Sequence, residues 1–177
     1  MWRSSLLLLL PVLLTACGGE SAPESADAPG AGDASAPVAA ASEGPSDACA
    51  LLPAEQVEAV LGQAVRDSLA MSMGGEAGLA ALSQCNYGTE ANPALVSLLL
   101  RRMTPEESVE QATRSVRQTL EESGLALEAV DGLGEASFWG GNQLHVITDD
   151  WYLVVTPDPA GGLHQGRALA ERALAEL

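Results

Sequence analysis

Residues 130–156, VDGLGEASFWGGNQLHVITDDWYLVVT, read as three consecutive strands separated by two turns. Gly140-Gly141-Asn142 supplies the first turn and Asp149-Asp150 the second, since Gly, Asn and Asp accept the backbone geometry of tight hairpins. A two-residue loop at Asp149-Asp150 pairs Thr148 with Trp151, Val146 with Leu153 and Leu144 with Val155. Opposed residues share a face, so Leu144, Val146, Trp151, Leu153 and Val155 form one apolar surface. That surface needs a cover, and the rest of the chain offers helices.

Working outward, residues 85–88 and 94–103 read as two further strands joined through Asn92-Pro93. Along the second, Val96, Leu98 and Leu100 fall on one face and Leu95, Ser97, Leu99 and Arg101 on the other. Thr104-Pro105-Glu106-Glu107 has the pattern of a capping box with Pro at the first helical position. Val109, Ala112, Val116 and Leu120 follow at helical spacing, and Gly124 ends the helix. A shorter helix runs over 52–62, where Pro53 suits the first turn, Val57, Val60 and Leu61 share a face, and Gly62 suits the cap. Residues 125–130 read as one more short strand. After Gly161-Gly162 comes a terminal helix with an apolar face of Leu169, Ala170, Ala173, Leu174 and Leu177. Residues 66–84 are ambiguous: Met71, Met73 and Leu79 suit a strand or a core flap, while Gly74, Gly75 and Gly78 suit a loop. The fold class is α/β in the broad sense, more strictly α+β: a mainly antiparallel sheet flanked by helices over residues 47–177.

Two faces of that sheet then need covers. The helix over 104–123 is expected on the face of Leu144, Val146, Leu153 and Val155. The opposite face carries His145, Ile147, Tyr152 and Val154, too apolar to be plainly solvated. Either the terminal helix covers it, which is the reading preferred here, or it forms a groove for a ligand or partner.

The chain begins Met1-Trp2-Arg3, runs through an apolar Leu6–Leu14 segment too short to span a bilayer, and reaches Leu14-Thr15-Ala16-Cys17. This arrangement resembles the signal peptide and lipobox of bacterial lipoproteins. It implies cleavage after residue 16, acylation of Cys17, and a membrane anchor made of lipid. Gly18 rather than Asp after the acylated Cys resembles the pattern for outer-membrane sorting where two membranes exist; otherwise the outer face of the plasma membrane is implied. Residues 17–46, rich in Ala, Ser, Gly and Pro and carrying acidic but no basic residues, cannot bury enough apolar surface to order themselves. They are expected to be a disordered tether with a reach on the order of 30 Å.

With Cys17 committed to lipid, Cys49 and Cys85 remain as an even pair in an exported, oxidising setting, and a disulfide between them is the simplest reading. A metal site is the rival, but no CxxC or HxxxH spacing accompanies them, and His145 and His164 fall in different elements. No cofactor motif is evident. The formal charge is −16, and losing Arg3 with the leader makes it −17. Such a charge opposes nucleic acid and anionic membrane surfaces as partners and favours cationic ones.

Cys49-Ala50-Leu51-Leu52 running into a helix that ends Leu61-Gly62, a later Cys85-Asn86-Tyr87, and Val130-Asp131-Gly132-Leu133-Gly134-Glu135-Ala136 before a meander resemble a family of bacterial secreted lipoproteins known only as a domain of unknown function. The resemblance implies an α/β domain stapled by a Cys pair and transfers no catalytic residue. The order of elements is also similar to the α/β sandwich of PsbP-like domains.

Chemistry is sparse. Gly132-Leu133-Gly134 suits a backbone nest or, more simply, a tight turn. No G-x-S-x-G elbow and no uncommitted Cys offers a nucleophile. The expected function is a non-enzymatic binding or assembly module of the cell envelope. The alternatives are an envelope hydrolase using His145 or His164 as base, and an acidic inhibitor of a basic secreted enzyme.

Overall fold

The computed structural model describes residues 47–73, 81–90, 92 and 95–177. The leader, Cys17, the linker to residue 46, and Gly74, Gly75, Gly78 and Leu79 lie outside them. The elements in chain order are α1 (Ala48–Leu51), α2 (Ala54–Leu61), β1 (Asp67–Met73), β2 (Leu82–Gly88), β3 (Val96–Arg102), α3 (Val109–Glu122), β4 (Glu128–Ala129), β5 (Ala136–Gly140), β6 (Gln143–Ile147), β7 (Trp151–Thr156) and α4 (Gly162–Leu174).

One seven-stranded antiparallel sheet runs in the order β1-β2-β3-β7-β6-β5-β4. Two meanders meet at its centre, and α3 carries the chain from β3 to the far edge. The meander of residues 130–156 has the register expected: Leu144 opposes Val155 and Val146 opposes Leu153. Gly141 and Asn142 sit between the opposed Gly140 and Gln143 at φ +58° and +62°, the signature of a type I′ hairpin. At Asp149-Asp150 the turn differs, because neither residue has positive φ. Thr148 closes it instead: its N–H donates to Trp151 O (2.8 Å), and its Oγ1 accepts from Trp151 N (3.0 Å).

Within the ambiguous 66–84 region the described residues form β1 and the start of β2. Residues 125–130 hold only the two-residue β4. The long helix starts later than expected. Thr104-Pro105-Glu106-Glu107 forms a turn closed by Glu107 N–H to Thr104 O (2.9 Å), and the capping box belongs to Ser108 and Gln111. The cause is that the Glu107 carboxylate is already engaged by Arg101 through two bonds of 2.7 and 2.8 Å.

Helices lie on both faces of the sheet, but on the opposite faces from those expected, and the second face is only partly covered. Val96, Leu98, Leu100, Leu144, Val146, Leu153 and Val155 are buried in one cluster with Leu51, Leu52 and Val57 of the N-terminal helices and Leu169, Ala170 and Ala173 of α4. Packing of α3 is on the other face, where its Val109, Ala112, Val116 and Leu120 meet Phe138, Ile147 and Tyr152. The small residues of α4 allow the close approach that the continuous apolar face requires, and the narrow stripe of α3 matches a smaller patch. Leu177, expected in the α4 face, is exposed.

Alternate residues of β2 hold the N-terminal helices to the sheet. Ser83 Oγ accepts from Ala48 N–H (2.9 Å), Cys85 is disulfide-bonded to Cys49 with Cα atoms 5.0 Å apart, and the Tyr87 hydroxyl donates to Leu52 O. Burial raises the Tyr87 pKa further above its ordinary value, with Asp47 adding to the effect, so the phenol remains a donor.

Candidate functional site: the half-open face of the sheet

Strand parity and register lay out the second face as a grid. One row runs Leu82, Arg101, Tyr152, Ile147, Ala136; the next runs Gln84, Leu99, Val154, His145, Phe138. A third carries Asn86, Ser97 and Thr156. The β5–β6 side lies beneath α3. What α3 leaves uncovered is the β2–β3–β7 side, and there a groove of about 490 Å³ opens, with Leu120 of α3 among its walls. Leu82, Leu99 and Val154 are its apolar lining; Gln84, Ser97, Gln143 and Thr156 are polar. Part of that polar lining is internally bonded, Gln84 Nε2 donating to Asn86 Oδ1 (2.9 Å) and Gln143 Nε2 to Thr156 Oγ1 (3.3 Å).

Of the four residues placed on this face by sequence, three line the groove and one does not. His145, Tyr152 and Val154 do; Ile147 is fully buried in the cluster under α3 and is core, not surface. The terminal helix, expected here, covers the opposite face. His164 is exposed on that helix, so the sheet separates the two histidines.

His145 is the least ordinary group in the groove. It is 3% exposed, stacked on Phe138 with ring centroids 5.0 Å apart and near-parallel to Tyr152 at 6.1 Å. Its Nδ1 shares a hydrogen bond of 2.8 Å with the Tyr152 hydroxyl, while its Nε2 is buried and has no hydrogen-bond partner among the described residues. Burial pushes the ring's pKa down to about 4, so it is neutral at pH 7. Burial also pushes the Tyr152 phenol up to about 12, against the opposing effect of Arg101. Arg101 lies 5.4 Å from the Tyr152 ring centroid, and Arg117 is placed similarly at 5.6 Å over Phe138. The result is an aromatic ladder, Tyr152–His145–Phe138, with a guanidinium over each end.

The chemistry available from this ladder is limited. A general base needs a proton within reach and a pKa near the working pH. The recorded partner of His145 is a phenol, not a carboxylate or nucleophile, and the nearby Arg101 is paired with Glu107, whose carboxyl Arg101's hydrogen bonds hold below its ordinary value. Gly132-Leu133-Gly134 belongs to a tight turn: a Cβ on Gly134 (φ +56°) would stand 2.6 Å from the Ile147 carbonyl oxygen. Sequence reasoning missed Leu82, Gln84 and Leu120 as groove residues. The first two lie in the ambiguous 66–84 stretch, and the helical spacing of Leu120 marks it only as part of the apolar stripe that faces the sheet.

Fold and site together define an α+β domain with a disulfide-held helical layer on one side and a half-covered sheet on the other. No protein-family model matches the chain, and no curated protein or solved structure does.

Proposed function

We propose that this chain is a lipid-anchored binding or assembly module of a bacterial cell envelope, not an enzyme, and that the groove on the second face is its binding site. The anchor is the acylated Cys17, and residues 17–46 are the tether that holds the domain off the membrane. The observation that carries the binding assignment is the position of α3, which covers one half of a face whose other half is an apolar-floored groove with polar edges. A neutral His145 bonded to a phenol suits recognition better than proton transfer. The formal charge of −16 favours a cationic protein or peptide as the partner, steered in by long-range attraction.

Two experiments test the two parts separately. Cys17→Ser should move the protein from membranes to the soluble fraction, and retention on membranes would remove the anchor from the reading. For the groove, a photo-crosslinking residue at Leu99 should give a discrete envelope adduct that the same residue at His164 does not. That adduct should weaken with salt, as a cationic partner requires. Adducts indifferent to position, or hydrolytic activity lost in His145→Gln, would overturn the binding assignment.

A further inference from the structure

The two edges of the sheet are treated differently. β4 is two residues long and carries Glu128, the short, charged design that blocks edge-to-edge pairing. β1 is seven residues long and exposed throughout, with no Lys, Arg or Pro within it. Four large apolar side chains are strongly exposed among the described residues, and three of them are Leu69, Met71 and Met73 on a single face of this strand. From the edge strand and its pattern we infer that β1 is a homodimer interface, joining two copies of this chain into one continuous antiparallel sheet.

The direction of the free hydrogen-bonding groups follows from the ladder. Bonded pairs alternate along an antiparallel pair of strands. Arg102 N–H donates to Ala81 O (3.2 Å) and Met103 N–H to Asp150 O (2.8 Å), so the odd-numbered residues of β2 bond to β3. Its even-numbered residues Leu82, Gln84 and Asn86 therefore bond to Met73, Met71 and Leu69. By the same alternation the N–H and C=O groups of Ser68, Ala70 and Ser72 point off the sheet edge.

A second copy fits that edge because β1 is self-complementary about Ala70. A two-fold axis there opposes Ala70 to Ala70, Ser68 to Ser72, Leu69 to Met71, and Asp67 to Met73. The outward groups of Ser68, Ala70 and Ser72 then satisfy one another, as an isologous contact demands. On the second face Leu69 and Met71 cover each other. On the first face the two hydroxyls meet and the smallest side chain lies on the axis. No like charges are opposed. Repulsion between two copies each carrying −16 acts at longer range, so the dimer should tighten as salt rises. A cationic partner would show the opposite dependence. The dimer concerns the edge and stands independently of what occupies the groove.

Sedimentation of the full chain in detergent, with Cys17→Ser as the control for acyl-driven association, should show a salt-strengthened dimer. Ala70→Pro removes an outward N–H and spares the β1–β2 ladder, so it should give a folded monomer. Should that variant fail to fold, Leu69→Glu with Met71→Glu opposes acids across the axis and serves the same purpose. Register is read by cysteine pairing: Leu69→Cys and Met71→Cys chains should cross-link when mixed and not alone, because only opposed residues come within disulfide range. A monomer at every concentration, a dimer that survives both edge variants, or cross-linking of either chain alone overturns the proposal. So does a monomer whose Ser68, Ala70 and Ser72 amides resist hydrogen exchange, which would give the edge to the chain's own 17–46 segment.

Discussion

Tyr152→Phe removes one hydroxyl and nothing else, and its effect can be worked from the contacts of His145. The ring keeps its place near His145 and under Arg101, so stacking and cation–π terms are nearly unchanged. What disappears is the 2.8 Å bond to Nδ1. Because Nε2 already lacks a partner, the substitution leaves both nitrogens of a ring that is 3% exposed without one. Removing one partner of a buried polar group destabilises by about 1–3 kcal/mol, whereas replacing both by apolar groups of similar shape is close to neutral. Tyr152→Phe should therefore destabilise by about 2 kcal/mol, and adding His145→Phe should recover most of that loss. Tyr152→Ala also loses the ring, and about 3 kcal/mol is expected for a half-buried side chain. Urea denaturation at pH 7 under non-reducing conditions measures all three, with unchanged m-values as the check on two-state comparison. A Tyr152→Phe protein within about 0.3 kcal/mol of the parent, well under the 1–3 kcal/mol range, would show that the bond does not matter and that His145 is effectively solvated.

The same pair makes a pH prediction. His145 has a folded pKa of about 4 against roughly 6.5 in the unfolded chain. Above pH 6.5 both states are neutral and the full stability is present. As pH falls below 6.5 the unfolded chain takes up the proton first, so stability declines and levels off near pH 4. The total loss is on the order of 3 kcal/mol. Between pH 5 and 6.5 few carboxylates titrate, so the slope there belongs to His145, and His145→Phe should flatten it.

Three further outcomes follow from the fold. Reducing the Cys49–Cys85 bond, which links residues 36 apart, should lower stability by roughly 4 kcal/mol in the chain-entropy account, seen as a melting temperature about 10–20 °C lower by calorimetry; an unchanged transition would contradict it. Gly134→Ala should destabilise by about 2 kcal/mol or more, since its Cβ would press on the Ile147 carbonyl and Val146 at positive φ, and denaturant midpoints will show whether it does. Glu107→Gln breaks the paired bonds to Arg101 and should cost about 1 kcal/mol at pH 7, an effect that should vanish in acid because the carboxyl's depressed pKa gives stability only above its ordinary range.

Much of this fold was legible because side-chain alternation carries the needed information. Opposed pairs such as Leu144–Val155 and Val146–Leu153 follow from turn length alone, and the parity of Val96, Leu98 and Leu100 places them on the same surface. The cysteine pair followed from arithmetic and compartment. β1 was not legible, because Asp67–Met73 mixes Ser, Ala and Met in a strand exposed on both sides, with no buried face to impose a pattern. The start of α3 was misplaced for a different reason. Thr104-Pro105-Glu106-Glu107 has the right letters for a capping box, but a long-range partner, Arg101, takes the carboxylate. Local motifs say nothing about such competition.

The exchange of helices between faces has a physical cause that also accounts for the groove. Parity tells which residues share a face but not which helix lies over it, since two amphipathic helices satisfy a two-sided sheet either way. Width decides. Seven strands at about 4.8 Å spacing span roughly 29 Å, and a helix about 10 Å across covers two of them. The continuous apolar face needs more than one cover, and it has α1 and α2 at one side and α4 at the other, the first pair held there by the disulfide. Among the described residues only α3 is left for the second face. Arg101 holds Glu107, one residue before the Ser108 cap, and so fixes where that helix begins; its apolar stripe then meets Phe138 and Ile147 on the β5–β6 side. Among the described residues, the other strands of that face are left open because one helix is too narrow to cover them. Leu99 therefore stays half-sheltered in a groove floored by the buried Val154, and Leu69, Met71 and Met73 are exposed beside it. The sequence tolerates this exposure along the edge that lacks the brevity protecting the other and whose one charge, Asp67, stands at the strand's end, and this asymmetry is what a structural accident would not be expected to produce.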